Sequence, residues 1–139
     1  MESCSEVSDL VSLTSMAKLQ SLIFSACTAV SELAPLTALL NLHSLNICDC
    51  TFVTDLSPLA AVENLQSLDF CTAVSDLAPL TALVKLQSLD MNGCTGVSNL
   101  APLAALVKLE SIRLYSGVFS AADMPALQLR IESGELNMR

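Results

Sequence analysis

One short motif recurs five times along the chain and constrains the fold more than any other feature. The first copy is Lys18-Leu19-Gln20-Ser21-Leu22, and later copies begin at Asn41, Asn64, Lys85 and Lys108, after 23, 23, 21 and 23 residues. Two further series keep the same intervals: Cys4, Cys27, Cys50, Cys71 and Cys94, and Pro35, Pro58, Pro79, Pro102 and Pro125. Three residue types that share one period indicate a stack of similar units.

Each unit predicts a short strand followed by a helical turn. In the most regular unit, the alternation of Leu89 and Met91 suits a strand with one buried face, and Cys94 then turns the chain off the strand. The apolar residues that follow are mostly three apart: Val97, Leu100, Leu103, Leu106 and Leu109. A period of three fits a 3₁₀ turn or a short helix, with Ser98 or Asn99 as its cap and Pro102 in its first turn.

The stretch from Leu89 to Leu103 resembles a leucine-rich repeat. It is similar to the trypanosomatid form L-x-x-L-x-L-x-x-C-T-x-V-x-x-L-x-P-L, and less so to bacterial internalin-like and eukaryotic phosphatase-regulator repeats, whose units are one residue shorter with Asn in place of Cys. The resemblance covers roughly residues 1–115. It implies an α/β solenoid with a curved parallel sheet of five strands on the concave face and 3₁₀ or short helical turns on the convex face. It also implies protein binding at the concave face.

This resemblance divides the chain into an array and a diverged end. The array comprises residues 1–115, with units near 18–40, 41–63, 64–84 and 85–107. Residues 116–132 are a degenerate final repeat or a cap, in which the alternation of Leu127, Leu129 and Ile131 suits a last strand. Residues 133–139 are expected to fray.

The array begins in the middle of a unit, because Met1 aligns with the strand residue Met91. No N-terminal cap is visible, although solenoids need one to cover the end of the core. Either the chain is a fragment of a longer array, or its open end pairs with another molecule. The apolar residues Leu10, Leu13 and Met16 at this end predict self-association.

The unit that begins at Asn64 is two residues short. The missing pair falls between its strand and Cys71, so Cys71 matches Cys48 when counted from the strand and Cys50 when counted from the following residues. This conflict predicts a tightened or shifted loop near residues 70–74.

Net charge and composition limit the classes of partner that the protein is expected to bind. Fourteen acidic residues against six Lys and Arg give a net charge of −8, which disfavours nucleic acid. No apolar stretch is long enough to span a bilayer, and no signal peptide is seen. With no cofactor motif present, we expect an acidic cytoplasmic protein that binds another protein.

The cysteine series predicts a ladder of buried, reduced thiols, and hence a reducing compartment. Cys48 lies outside the series, and Cys48-Asp49-Cys50 beside Cys71 leaves open a disulfide or metal site. Four ligands are hard to assemble for a metal, because His43 is the only histidine.

Two further arrangements have a structural and a chemical interpretation. Ser44, His43 and Asp69 suggest a catalytic triad, but these residues fill repeat columns and no strained nucleophile turn accompanies them, so no enzyme is expected. The acidic column could form a calcium ladder or cap the helical turns, and capping is favoured because single carboxylates supply too few oxygens. Its members are Asp9, Glu32, Asp55 and Asp76, continued by Asn99.

The candidate recognition strip is the variable column on the outward face of the predicted sheet. Its centre is acidic, and Arg113 with Tyr115 forms a pair of the kind enriched in interface hot spots. The strip comprises Ile23, Asn46, Asp69, Asp90, Asn92, Arg113 and Tyr115. The expected function is protein interaction through this strip. The alternatives are a regulatory subunit, resembling adenylate-cyclase or phosphatase regulators, and a truncated gene product without independent function.

Overall fold

The computed structural model describes residues 9–70, 74–114 and 124–139. Within these ranges the chain alternates strands with 3₁₀ helices, and a single α-helix follows near the C-terminus. The 3₁₀ helices are η1 (Val11–Ser15), η2 (Ala34–Ala38), η3 (Ser57–Ala61), η4 (Ala78–Ala82) and η5 (Ala101–Ala105). The strands are β1 (Ser21–Ile23), β2 (Ser44–Asn46), β3 (Ser67–Asp69), β4 (Ser88–Met91), β5 (Ser111–Leu114) and β6 (Asn137–Met138), and the helix is α1 (Gln128–Glu132).

The strands form one parallel sheet in chain order, β1 to β6. Identical residues pair across it: Ser21 with Ser44, Ser44 with Ser67, Ser67 with Ser88, and Ser88 with Ser111. Each unit therefore adds one strand beside the previous one, which is the arrangement that the 23-residue period predicts. The fold is a leucine-rich-repeat solenoid, as expected, with six strands in its described part instead of five.

The 3₁₀ helices form the layer opposite the sheet. Pro35, Pro58, Pro79 and Pro102 each lie in the first turn of a 3₁₀ helix, where a missing N–H costs no hydrogen bond. The leucines and valines spaced three apart point inward and are buried in four successive units, which run from Val30 to Leu42, Val53 to Leu65, Val74 to Leu86 and Val97 to Leu109. A single apolar core consequently runs along the solenoid between the two layers.

The turns after β1, β2 and β4 each use one left-handed residue. Ala26, Asp49 and Gly93 occupy equivalent positions, with φ of 59°, 61° and 95°. Glycine adopts this conformation without steric cost, and aspartate tolerates it better than alanine does. Ala26 is therefore the strained member of this column.

We expect Ala26→Gly to stabilise the protein by about 0.5 kcal/mol, because relief of left-handed strain exceeds the added entropy of the unfolded chain. Urea unfolding followed by circular dichroism measures this change. The control is Ala29→Gly, which removes the same methyl group three residues later without relieving a positive φ, and is expected to destabilise. Equal shifts for the two variants would contradict the assignment of strain to Ala26.

The shortened unit keeps its core positions. Phe70 and Val74 are both fully buried, as are their counterparts Ile47 and Val53, although only three residues separate the first pair and five the second. The missing pair of residues therefore falls within 71–73. These residues, including Cys71 and the predicted loop rearrangement, lie outside the described part. In the next unit a Cβ on Gly96 would lie 3.1 Å from the Val74 carbonyl oxygen, so the absence of a side chain permits this close approach.

The C-terminal end differs from the sequence-based expectation in two respects. Residues 128–132 form α1 instead of a strand: Leu127 is buried and Ile131 half-buried on one helical face, while Leu129 between them is exposed. Residues 133–139 do not fray, because Leu136 enters the core and β6 pairs with β5. The Asn137 N–H donates to the Glu110 carbonyl at 2.8 Å, and the Arg139 N–H to the Ile112 carbonyl at 2.9 Å.

Candidate functional site

The variable column of the sequence forms a continuous row across the sheet. Ile23, Asn46, Asp69, Asp90 and Arg113 are paired neighbours in consecutive strands. Their side chains alternate with those of the buried leucine column, so they lie on the face away from the core. Neighbouring members are one strand spacing apart, about 4.8 Å. This row is called the concave row below.

A polar depression of about 260 Å³ lies at the C-terminal half of this row. Its charged lining residues are Asp69, Asp90, Arg113 and Arg139. The rest of the lining is Leu89 and three members of the serine column that pairs across the sheet: Ser67, Ser88 and Ser111. The small serine side chains leave this space open, which gives that column a role in the shape of the site.

The two carboxylates of the depression have different hydrogen-bond partners. Arg113 and Asp90 form an ion pair with 2.6 Å between Nη1 and Oδ2. Asp69 Oδ2 instead accepts a hydrogen bond from Asn46 Nδ2 at 3.1 Å. Asp90 thus has an ion-pair partner, whereas Asp69 is hydrogen-bonded to an amide and forms no salt bridge among the described residues. Asp69 is therefore the carboxylate of the row that is open to a further cation.

The environment of Asp69 raises its pKa above the ordinary aspartate value. Partial burial is the largest cause, and the neighbouring Asp90 carboxylate adds to it. The Asn46 hydrogen bond and the positive charge of Arg113 oppose this increase but do not cancel it. The ionised form of Asp69 is therefore destabilised in the folded state, and a cation placed beside it would gain by relieving this.

This shift predicts how stability depends on pH. Because the folded pKa of Asp69 lies above its unfolded value, the folded state binds the proton more tightly, and stability falls as pH rises between the two values. We expect Asp69→Asn to increase the stability at pH 7, by less than about 1 kcal/mol because the site is half-exposed. This gain over the wild type should vanish at pH 3. Urea titrations at both pH values measure the difference.

Asp55 is a control for this prediction, because its pKa is shifted in the opposite direction. Hydrogen bonding to Ser57 lowers the pKa of Asp55, so its contribution to stability is present at neutral pH and is lost as pH falls below its ordinary value. Asp55→Ala should therefore destabilise at pH 7 and matter least in acid. If both variants changed stability in the same direction, the local environments would not explain the pH dependence.

Arg139 is the charged member of the depression that lies outside the predicted strip. The sequence predicts that residue 139 frays, whereas its N–H bonds to the Ile112 carbonyl of β5 and the residue lines the depression together with Arg113. The strand before it is too short to leave a periodic signal in the sequence, so its position follows only from pairing with β5. The concave row therefore ends with two arginines.

Two other strip residues are placed differently. Asn92 lies in the turn after β4, and its N–H donates to Asp90 Oδ1 at 2.9 Å, so it supports the row from outside the strand. Tyr115 lies outside the described residues.

The acidic column that precedes the 3₁₀ helices bonds to the first residue of these helices. The side-chain oxygens of Asp9, Asp55, Asp76 and Asn99 each accept the N–H of the second residue along, at 2.7–3.0 Å. Glu32, which is one methylene longer, makes no such bond among the described residues. No group of three or more His, Cys, Asp or Glu side chains that could share a metal ion occurs within residues 9–70, 74–114 and 124–139.

The cysteine column lies in the core beneath the sheet edge. Cys27, Cys50 and Cys94 are buried, and Cys48 is half-buried. The Cys50 thiol donates to the Phe24 carbonyl at 3.1 Å and the Cys94 thiol to the Phe70 carbonyl at 3.2 Å. These bonds tie each loop to the unit before it. Cys4 and Cys71 lie outside the described residues.

The triad suggested by Ser44, His43 and Asp69 is not assembled in the described structure. Asp69 bonds to Asn46, and the buried His43 Nδ1 has no hydrogen-bond partner among the described residues. His43 is half-buried at the start of β2, in the column that otherwise holds glutamine or glutamate.

The parallel sheet, the short 3₁₀ helices and the 23-residue unit together define a leucine-rich-repeat solenoid. Among solved structures, internalin C2 of Listeria monocytogenes is similar, with 25% sequence identity and a TM-score of 0.71 over 96% of this chain. An internalin (inlF) of the same organism is 22% identical, with a TM-score of 0.63 over 86% of this chain. The chain spans 57% of the first structure and 42% of the second.

No protein-family model and no curated protein matches the sequence. The similarity to trypanosomatid repeats accordingly rests on the repeat pattern alone. Within the described residues, no helix is both long enough and apolar enough to cross a bilayer.

Proposed function

We propose that the protein is a protein-interaction module that binds a partner segment along the concave row and has no catalytic activity. The observation that carries this proposal is the polar depression, in which Asp69 is half-buried and forms no salt bridge among the described residues. A side chain that supplies positive charge there would complete the site. The likeness in fold to the internalins supports a repeat scaffold as the framework.

The order of charges along the row indicates the charge pattern that the partner segment needs. From β1 to β6 the row reads apolar, amide, acid, acid, base, base, at Ile23, Asn46, Asp69, Asp90, Arg113 and Arg139. The matching segment presents a Lys or Arg to Asp69 and an Asp or Glu to Arg139, about three strand spacings or 14 Å away. A segment that crosses the strands in this direction meets both groups.

The test is selection of twelve-residue peptides from a random display library against the immobilised protein in reducing buffer. Selected peptides should carry a basic and an acidic residue separated by about four positions. Asp69→Lys should weaken their binding at least tenfold, because it places like charges together at the centre of the site. Fluorescence anisotropy with the selected peptides measures this.

The matched control is Glu32→Lys, which makes the same charge change at an exposed position on the other side of the solenoid. It should leave the affinity within twofold of the wild type. Equal effects of the two variants would indicate attraction by net charge alone and would refute binding along the concave row.

The β1 side of the sheet supports a second contact. Among the described residues β1 is an edge strand, and Ile23 within it and Met16 before it are exposed. Self-association through this edge, or its continuation by further units of a longer array, would cover these side chains. Light scattering after size exclusion should then give a discrete dimer for residues 1–139. A monomer at all concentrations would exclude self-association.

The thiol column supports a reducing compartment for this module. Oxidation of Cys50 or Cys94 would break its bond to the preceding unit.

A further inference from the structure

A second exposed surface, which carries apolar and basic side chains, lies where each 3₁₀ helix leads into the next strand. Five β-turns stack there, each closed by a backbone hydrogen bond, such as that from the Leu86 N–H to the Leu83 carbonyl at 2.9 Å. The two central residues of each turn point outward. They are Ala17-Lys18, Leu40-Asn41, Glu63-Asn64, Val84-Lys85 and Val107-Lys108.

The first central position shows that the exposed valines are not required by the fold. Val84 is 47% and Val107 68% exposed. The equivalent residues are Ala17, Leu40 and Glu63, and Leu40 is also 59% exposed, so small, apolar and charged side chains are all accommodated at this place. The repeat therefore does not require valine at two adjacent turns, where β-branched residues are not favoured.

The second central position collects positive charge. All three lysines of the chain, Lys18, Lys85 and Lys108, occupy it, although the net charge is −8. Asn41 and Asn64 at this position bond to the carbonyl of the preceding turn, at 2.8 and 2.7 Å. Asparagine thus serves the turn stack directly, whereas the lysines are exposed, and within the described part of the chain Lys85 alone among them bonds to a neighbouring turn, through Asn64 Oδ1.

The turn patch comprises Val84, Lys85, Val107 and Lys108, and Arg130 adds a third cation beside it. The Arg130 guanidinium donates to the carbonyls of Leu106 and Leu109, which fixes its charge at the end of the patch. Glu63 limits the patch on the other side. Two apolar side chains flanked by three cations form one continuous surface.

We infer that the turn patch binds a short acidic peptide segment in which carboxylates alternate with apolar side chains. The carboxylates complement the lysines and the apolar side chains cover the valines. Two exposed lysines and one fixed arginine are fewer than the four to eight cations typical of lipid recognition, and an anionic bilayer repels a chain of net charge −8.

The test measures fluorescence anisotropy of a labelled, end-capped probe of four Glu-Leu pairs at low salt. The Lys85→Gln/Lys108→Gln variant should weaken binding about five-fold, as expected for two exposed ion pairs. Val84→Ser/Val107→Ser should weaken it about tenfold through lost apolar contact. Lys18→Gln, the same change at the same turn position three units away, is the control and should have no effect.

Three results would overturn the inference. They are no binding of the Glu-Leu probe, equal binding of a probe of four Glu-Ser pairs, and equal weakening by Lys18→Gln. Capture of phosphatidylserine vesicles that is lost in the double lysine variant would assign the patch to a membrane surface instead. Asp69→Asn should leave the probe affinity unchanged, so failure of the concave row as a binding site is distinguished from failure of the turn patch.

Discussion

Phe70→Ala is expected to destabilise the protein by about 3–5 kcal/mol, the range measured for loss of a buried phenylalanine. Phe70 is completely buried at the end of β3, and its carbonyl accepts the Cys94 thiol of the next unit. It also borders the shortened segment, where the chain has two residues fewer with which to close the resulting cavity. For a domain with 5–15 kcal/mol of total stability, this is a large fraction.

Urea unfolding measures the effect, as a fall of the midpoint by about 1.5 M or more for a slope near 2 kcal/mol/M. The control is Phe52→Ala, because Phe52 is 65% exposed in the unit before and its removal leaves no cavity. That variant should lie within about 0.5 kcal/mol of the wild type. Similar losses for the two phenylalanines would mean that the core does not extend through the shortened unit.

Leu136→Ala is expected to release the C-terminal strand from the sheet. Leu136 is almost completely buried, and its truncation should cost about 2–4 kcal/mol. The backbone bonds made by Asn137 and Arg139 with β5 depend on this anchor. Because terminal units of a solenoid open separately, the loss should be concentrated there.

Hydrogen exchange is the appropriate measurement, since it reports each amide separately. The amides of Leu114, Asn137 and Arg139 should exchange at least about 30-fold faster in Leu136→Ala, and those of β2 should not change. Leu129→Ala in α1 is the control, because Leu129 is 79% exposed. Unchanged exchange in Leu136→Ala would contradict the assignment of Leu136 as the anchor of β6.

The regular part of the fold was predictable because the same physical requirement recurs in every unit. A strand with one buried face, a small thiol beneath the loop, a proline in the first turn and leucines three apart each leave a residue signature. Repetition makes each signature visible. The register of Asn46, Asp69 and Asp90 follows directly from the intervals of 23 and 21 residues.

The C-terminal end was not predictable by the same reasoning. Apolar residues at 127, 129 and 131 alternate as in a strand, but the pair at 127 and 131 also fits one helical face, and the helix leaves only Leu129 outside. Strand β6 has two residues, too few for a periodic signal, and its position depends on pairing with β5. Because β6 was not predicted, Arg139 was not predicted as a residue of the depression.

The electrostatics of the candidate site also required the structure. The sequence identifies an acidic centre in the strip but does not distinguish its two aspartates. Only the side-chain geometry pairs Asp90 with Arg113 and leaves Asp69 with an amide. Which carboxylate is open to a partner is thus a property of the three-dimensional arrangement.

The stacking of neighbouring strands also has a kinetic consequence. Residues paired between adjacent strands are 21–26 positions apart in the chain, from Ser67 with Ser88 to Ser111 with Asn137. Each step in building the sheet therefore closes a loop of about the same modest length, whatever the total number of units. Folding can begin at any adjacent pair of units and extend in both directions, so lengthening the array would add stability without adding a slower closure step.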